Sequence, residues 1–224
     1  MRSQQWLLEL KGYIIRSTTE AARDFWPSPN QTGSPFFNFR LEHIRQVERD
    51  ALHIMESERG DEEIVLAAVW IHDRFQAQFD GAQHADKATR WTRDNLAQLG
   101  FPAHKVENVA LAVKHHTRRS MDIPQEMHEA QLLWDADRLA RLGPVNLISY
   151  MMCHLAEDFL LELSNNPQFK SGSLSIKDFT PLLIEKRNAL FRADWFYFDE
   201  SRTVARKRIA ATRAYLDVLE SQIY

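Results

Sequence analysis

The chain lacks most of what other fold classes are built from. It has a single cysteine, Cys153, so no internal disulfide can form and a reducing, cytoplasmic setting is expected. Seven glycines in 224 residues leave few positions for tight turns between strands. Alternating runs of Val, Ile and Thr are scarce, whereas Ala, Leu, Glu, Arg and Gln are abundant, a balance that favours helix. No unbroken apolar run approaches the roughly 20 residues that span a bilayer. Charges interrupt the apolar residues of MRSQQWLLELKGYII and no small-residue cleavage site follows, so neither a membrane partner nor a signal peptide is expected. A net charge of -3 gives no general attraction to nucleic acid. There is no repeat, no low-complexity segment and no sharp shift in composition, so residues 1–224 are expected to form one all-α domain.

What is present is a series of amphipathic segments. Trp6, Leu7, Leu10, Tyr13 and Ile14 mark a helix over 4–24, followed by a Pro- and aromatic-rich loop to residue 37. Leu41, Ile44, Val47, Leu52 and Met55 share one face of a second helix, with His43 beside that face. Asp61 is the expected N-cap of a third, whose apolar run IVLAAVWIHDRF ends at His72-Asp73. Further helices are expected over 85–99 with a stop at Gly100, over 103–116, over 126–142 with a stop at Gly143-Pro144, over 145–163 and 175–189, and over 203–223. The aromatic run Trp195 to Phe198 reads as core rather than as a dimer contact.

Four groups at the ends or faces of these helices carry chemistry: His43, His72-Asp73, His115-His116 and Asp135/Asp137. Imidazole and carboxylate are the ligands of a divalent ion such as Mn, Fe, Ni, Zn or Co, or of Mg where oxygen dominates. Each has a plainer reading by itself. A lone helical His is usually structural, His72-Asp73 can be a polar helix terminus, and Asp135 and Asp137 can pair with Arg138 and Arg141. Two residues apart on a helix, Asp135 and Asp137 point about 200° apart, so only one can face a given site. Their combination in one chain favours a metal site built from distant helices.

In that order, His43, His72-Asp73 and Asp137 resemble the HD superfamily of metal-dependent phosphohydrolases. LEHIRQVERDALHI is similar to its first ligand helix, DEEIVLAAVWIHD to its second and DADRLARLG to its last, and the resemblance covers about residues 40–143. It implies an all-α HD-domain bundle, with a core at about 38–143, that holds a divalent metal ion (Mn, Mg, Ni, Fe or Co) through His43, His72, Asp73 and Asp137. Asp135 is the competitor for the last place. The implied activity is hydrolysis of a phosphate ester or anhydride, in a nucleotide or similar small molecule, by a metal-bound hydroxide. Asp73 is then catalytic as well as ligating, and His115 or His116 donates a proton, binds phosphate or holds a second metal. His84 resembles a recurrent position in small bacterial members of the family and is a candidate substrate-binding residue, with a polar helix N-terminus as its plainer reading. Arg74, Lys114 and Arg138 are candidates for phosphate binding, although surface salt bridges are the commoner role for such residues. The basic tail helix, with Arg202, Arg206, Lys207, Arg208 and Arg213, reads first as a solvated face.

Two features depart from the best-known branches. Gln76 stands four residues after His72, where nucleotidase and alarmone-hydrolase branches carry Glu, and Arg74-Phe75 replaces the usual glycine after His-Asp. The Gly-Tyr-Pro signature of cyclic-dinucleotide phosphodiesterases is missing after His116. These departures weigh against those branches and keep two other readings in view: a weakly catalytic metal- and nucleotide-binding signalling module, and a di-iron oxygenase, which needs further His and Asp ligands.

Overall fold

A computed structural model describes residues 5–25, 34, 35, 37–75, 83–155 and 192–223, and among these every regular element is helical. The helices are α1 (Gln5–Phe25), α2 (Phe39–Met55), α3 (Glu62–Ile71), α4 (His84–Asn95), α5 (Val106–His115), α6 (His128–Leu139), α7 (Pro144–Leu155) and α8 (Asp199–Ile223). The expected helix over 175–189, most of the loop over 25–37, and Gln76 lie outside the described residues. No helix among the described residues is long and apolar enough to cross a membrane.

The chain divides into two compact units, Met1–Ala140 with Phe196–Ser201, and Arg141–Trp195 with Arg202–Tyr224. In the first, α3 is the central element, packed on α1, α2, α5 and α6. Its residues Ile64 to Ile71 are all buried, which explains an apolar run without a polar face. Asp61 caps it by accepting hydrogen bonds from the Glu63 and Ile64 amides. Asn38 caps α2 in the same way through the Leu41 amide. On α4 the α-helix stops at Asn95 and a 3-10 turn, Leu96–Leu99, carries the chain to Gly100. The φ of +87° at Gly100 is a left-handed conformation that favours glycine.

The aromatic run near residue 196 behaves mostly as core. Phe196 and Phe198 are buried, and the Tyr197 ring meets Trp134 edge-on at 5.2 Å. The Tyr197 hydroxyl accepts a 2.8 Å bond from the Ile123 amide. Trp195 is more exposed, at 37%. In the second unit, Gly143 takes a φ of +101° before α7 begins at Pro144. Along α8, Ser201, which belongs to the first unit, and then Ala205, Ile209, Thr212 and Leu216 form the buried stripe. Arg206, Lys207 and Arg213 are exposed, as a solvated basic face requires.

Candidate metal centre

Five helices of the first unit converge on the His72-Asp73 pair. His72 follows the last residue of α3, and α2 brings Arg40 and His43. His84 is the first residue of α4, His116 follows the end of α5, and α6 supplies Asp137. His43, His72, Asp73, His84, His116 and Asp137 are all buried. The apolar run before His72 gives the reason: a helix buried on every side delivers its terminus into the interior.

The Asp73 carboxylate stands between two sets of imidazoles. Its Oδ2 lies 3.5 Å from His43 Nε2 and 3.7 Å from His72 Nε2. Its Oδ1 lies 3.4 Å from both His84 Nε2 and His116 Nε2. Asp137 Oδ1 approaches the first set, 3.0 Å from His43 Nε2 and 4.0 Å from His72 Nε2. Two groups of donor atoms therefore lie within 4.8 Å of one another: His43, His72 and Asp73, and Asp73, His84 and His116. Either can hold a metal ion, and they share Asp73.

The donor chemistry fits a cation. His72 Nδ1 donates to the Val69 carbonyl at 2.7 Å, which leaves the lone pair on Nε2. That Nε2 is buried with no hydrogen-bond partner. His116 is fixed in the same sense by the Val113 carbonyl, 2.5 Å from Nδ1, and its Nε2 faces that of His84 at 3.1 Å. Burial pushes His72 down to about 3, overriding the attraction of Asp73, so it is neutral and free to ligate at physiological pH. Burial alone raises the Asp73 carboxyl, but the Arg40 guanidinium beside it outweighs burial and holds Asp73 well below the usual carboxylate range. An ionised carboxylate and neutral imidazoles are the forms that bind metal.

Asp135 and Asp137 separate as their helical spacing requires. Asp137 faces His43, whereas Asp135 accepts the Tyr197 and Phe198 amides at 3.0 and 3.1 Å. His116 joins the cluster, whereas His115 accepts a 2.6 Å bond from Arg118 Nε. The expected phosphate-binding cations are held elsewhere. Arg74 lies over Tyr13, Phe75 and Trp91, between 4.2 and 4.5 Å from each ring centroid, and donates to the Tyr13 hydroxyl. Arg138 bonds the carbonyls of His116 and Arg118 and lies over Trp134. Lys114 is exposed on α5. The cation that does reach the cluster is Arg40, whose Nη1 bonds Asp73 Oδ2. The sequence signal for it was its place three residues before His43, one turn away on the same helix face.

The HD domain family model matches residues 40–142, the stretch from Arg40 to just past the end of α6. Among solved structures, YpgQ of Bacillus subtilis is similar over 96% of both chains, with a TM-score of 0.62 and 18% identity. YpgQ in complex with ADP matches with a TM-score of 0.60 and 19% identity, over 96% of this chain and 95% of that one. An HD-superfamily hydrolase from Bacillus thuringiensis matches with a TM-score of 0.57 and 18% identity, over 95% of this chain and 97% of that one. At these identities the likeness establishes the fold. No curated protein is significantly similar to the chain in sequence.

Proposed function

Since the chain is an HD-domain protein, we propose that it is a metal-dependent phosphohydrolase acting on a phosphate ester or anhydride of a nucleotide or similar small molecule. The observation that carries this reading is the Asp73 carboxylate with imidazoles at both oxygens. His43, His72, Asp73 and Asp137 are the ligands proposed for one divalent ion, and Asp73, His84 and His116 for a second. A bound ion supplies Lewis acidity toward a phosphoryl oxygen and lowers the pKa of water. The protein's part is to hold the donors in place: Val69 and Val113 fix two imidazole tautomers, and Arg40 keeps Asp73 ionised. The nucleotide assignment draws on ADP in the YpgQ complex.

A panel of nucleotides and simple phosphate esters, assayed with Mn, Mg, Ni, Fe and Co, tests the proposal. Turnover that depends on added metal and is lost in His72→Ala supports it. A protein that retains no metal, or activity unchanged in His72→Ala, overturns it. Tight metal binding without turnover across the panel assigns the chain instead to a binding or signalling role.

The shared carboxylate also favours a second reading, in which the two sites hold iron and the chain is a di-iron oxygenase. A mixed-valent electron paramagnetic resonance signal after iron loading, with oxygen consumption and no phosphate release, selects that reading.

A further inference from the structure

Arg40 is the one residue of the cluster that cannot ligate a metal. It is largely buried, with 14% of its side chain exposed, and Nη1 bonds Asp73 Oδ2. Its Nε is buried with no hydrogen-bond partner. A guanidinium presents five N–H donors in one plane, so the Asp73 contact uses only part of its capacity. Its Cζ lies 5.5 Å from the centroid of the Phe39 ring, which stacks on His43 at 6.4 Å.

The charges of the cluster decide what else Arg40 takes. Asp73 and Asp137 are its carboxylates. One divalent ion at His43, His72, Asp73 and Asp137 already balances both carboxylates. The charge on Arg40 is then in excess, buried beside the ion, and an anion is its natural counterpart. Arg74 also has unpartnered donors, but its guanidinium lies among the rings of Tyr13, Phe75 and Trp91, and Arg138 bonds backbone carbonyls. Resting on the phosphohydrolase reading, we propose that Arg40 is the phosphate-binding residue of the site, holding Asp73 with one arm of its fork and a phosphoryl oxygen with the other. A lysine has the charge without the fork, so the geometry calls for arginine.

The test uses the full chain, freed of metal by chelation and titrated calorimetrically, first with Mn2+ and then with inorganic phosphate. Wild type, Arg40→Gln and Arg40→Lys are compared after circular dichroism has shown that each is folded. Because Arg40 also pairs with Asp73, the expected result is that both variants still bind Mn2+, with a smaller change in Mn2+ affinity than in phosphate affinity. Phosphate affinity of the Mn2+-loaded protein should fall about tenfold or more in Arg40→Gln, the loss of one charge-assisted hydrogen bond, and less in Arg40→Lys. Unchanged phosphate affinity in Arg40→Gln overturns the proposal. So does loss of Mn2+ binding in that variant, which would make Arg40 a positioning residue for Asp73 alone. If wild type binds Mn2+ but no phosphate, the proposal also fails, whereas failure of wild type to bind any metal ion removes the phosphohydrolase reading itself.

Discussion

Asp135 and Asp137 stand two residues apart on α6 and serve opposite sides of it. Asp137 Oδ1 is 3.0 Å from His43 Nε2, and Asp135 holds the amides of Tyr197 and Phe198. The two carboxylates should separate on mutation. Asp137→Ala is expected to weaken Mn2+ binding by about 10-fold or more with a modest effect on folding. Asp135→Ala is expected to cost about 2–4 kcal/mol, because two amides lose their acceptor inside the protein. Titration calorimetry and urea denaturation read the two effects, and a variant that moves both equally contradicts the separation.

Asp135 also predicts a pH dependence. Burial pushes its carboxyl up to about 7, against the bonds from the Tyr197 and Phe198 amides. A carboxyl raised above its unfolded value binds more protons folded than unfolded between the two pKa values. Its contribution is therefore complete below about pH 4 and is lost as pH rises through about 7. Urea unfolding between pH 4 and 8 should show the stability difference between wild type and Asp135→Asn shrinking as pH rises. A flat difference places the Asp135 carboxyl in its ordinary range.

The shared position of Asp73 predicts metal stoichiometry. Wild type should bind two divalent ions per chain, the His84→Ala, His116→Ala double variant one, and Asp73→Ala neither tightly. Elemental analysis after gel filtration counts them. Two ions retained in the double variant would remove His84 and His116 from the metal site.

The sequence made the helices and the ligands legible to different degrees, for physical reasons. The caps at Asp61 and Gly100 follow from local chemistry, and both are found. His43, His72-Asp73 and Asp137 were legible as an ordered pattern, and helical spacing alone required Asp135 and Asp137 to part. Arg74, Lys114 and Arg138 looked available to phosphate because they neighbour ligands in sequence. Adjacent residues on a helix point about 100° apart, however, so a neighbour in sequence faces elsewhere. Arg40 was the converse case. One turn from His43, it shares that face, and only the approach of α2 to the end of α3 shows what it touches. The division into two compact units was likewise unreadable, since α8 runs from one into the other without a break in composition.

Arg74 packs like a structural residue, and mutation should treat it as one. Its guanidinium lies over Tyr13 of α1, Trp91 of α4 and the neighbouring Phe75. Cation–π contacts that are shielded from water contribute about 0.5–2 kcal/mol. Arg74→Ala is expected to destabilise the protein by about 2 kcal/mol, lowering the thermal midpoint while the phosphate affinity of the Mn2+-loaded protein holds. Weakened phosphate binding at unchanged stability would assign Arg74 to the site instead.

The cap of α3 offers a test away from the cluster, with the opposite pH sign. Asp61 accepts the Glu63 and Ile64 amides and pairs with Lys105 at 2.6 Å. Partial burial works against the charge, but Lys105 and the two amides prevail and lower its pKa. A lowered carboxyl contributes stability above its unfolded value, about 4, and loses it as pH falls through the folded one. Asp61→Ala should cost about 1 kcal/mol at neutral pH, the usual value of an N-cap. Because α3 delivers His72 and Asp73, a frayed start tests how firmly packing holds its far end. Buried from Ile64 to Ile71, the helix should keep its C-terminus in place, so Mn2+ affinity should stay within about twofold of wild type. A larger loss, read by calorimetry at pH 7 and again at pH 4, would mean that the cap at Asp61 helps to position the metal ligands.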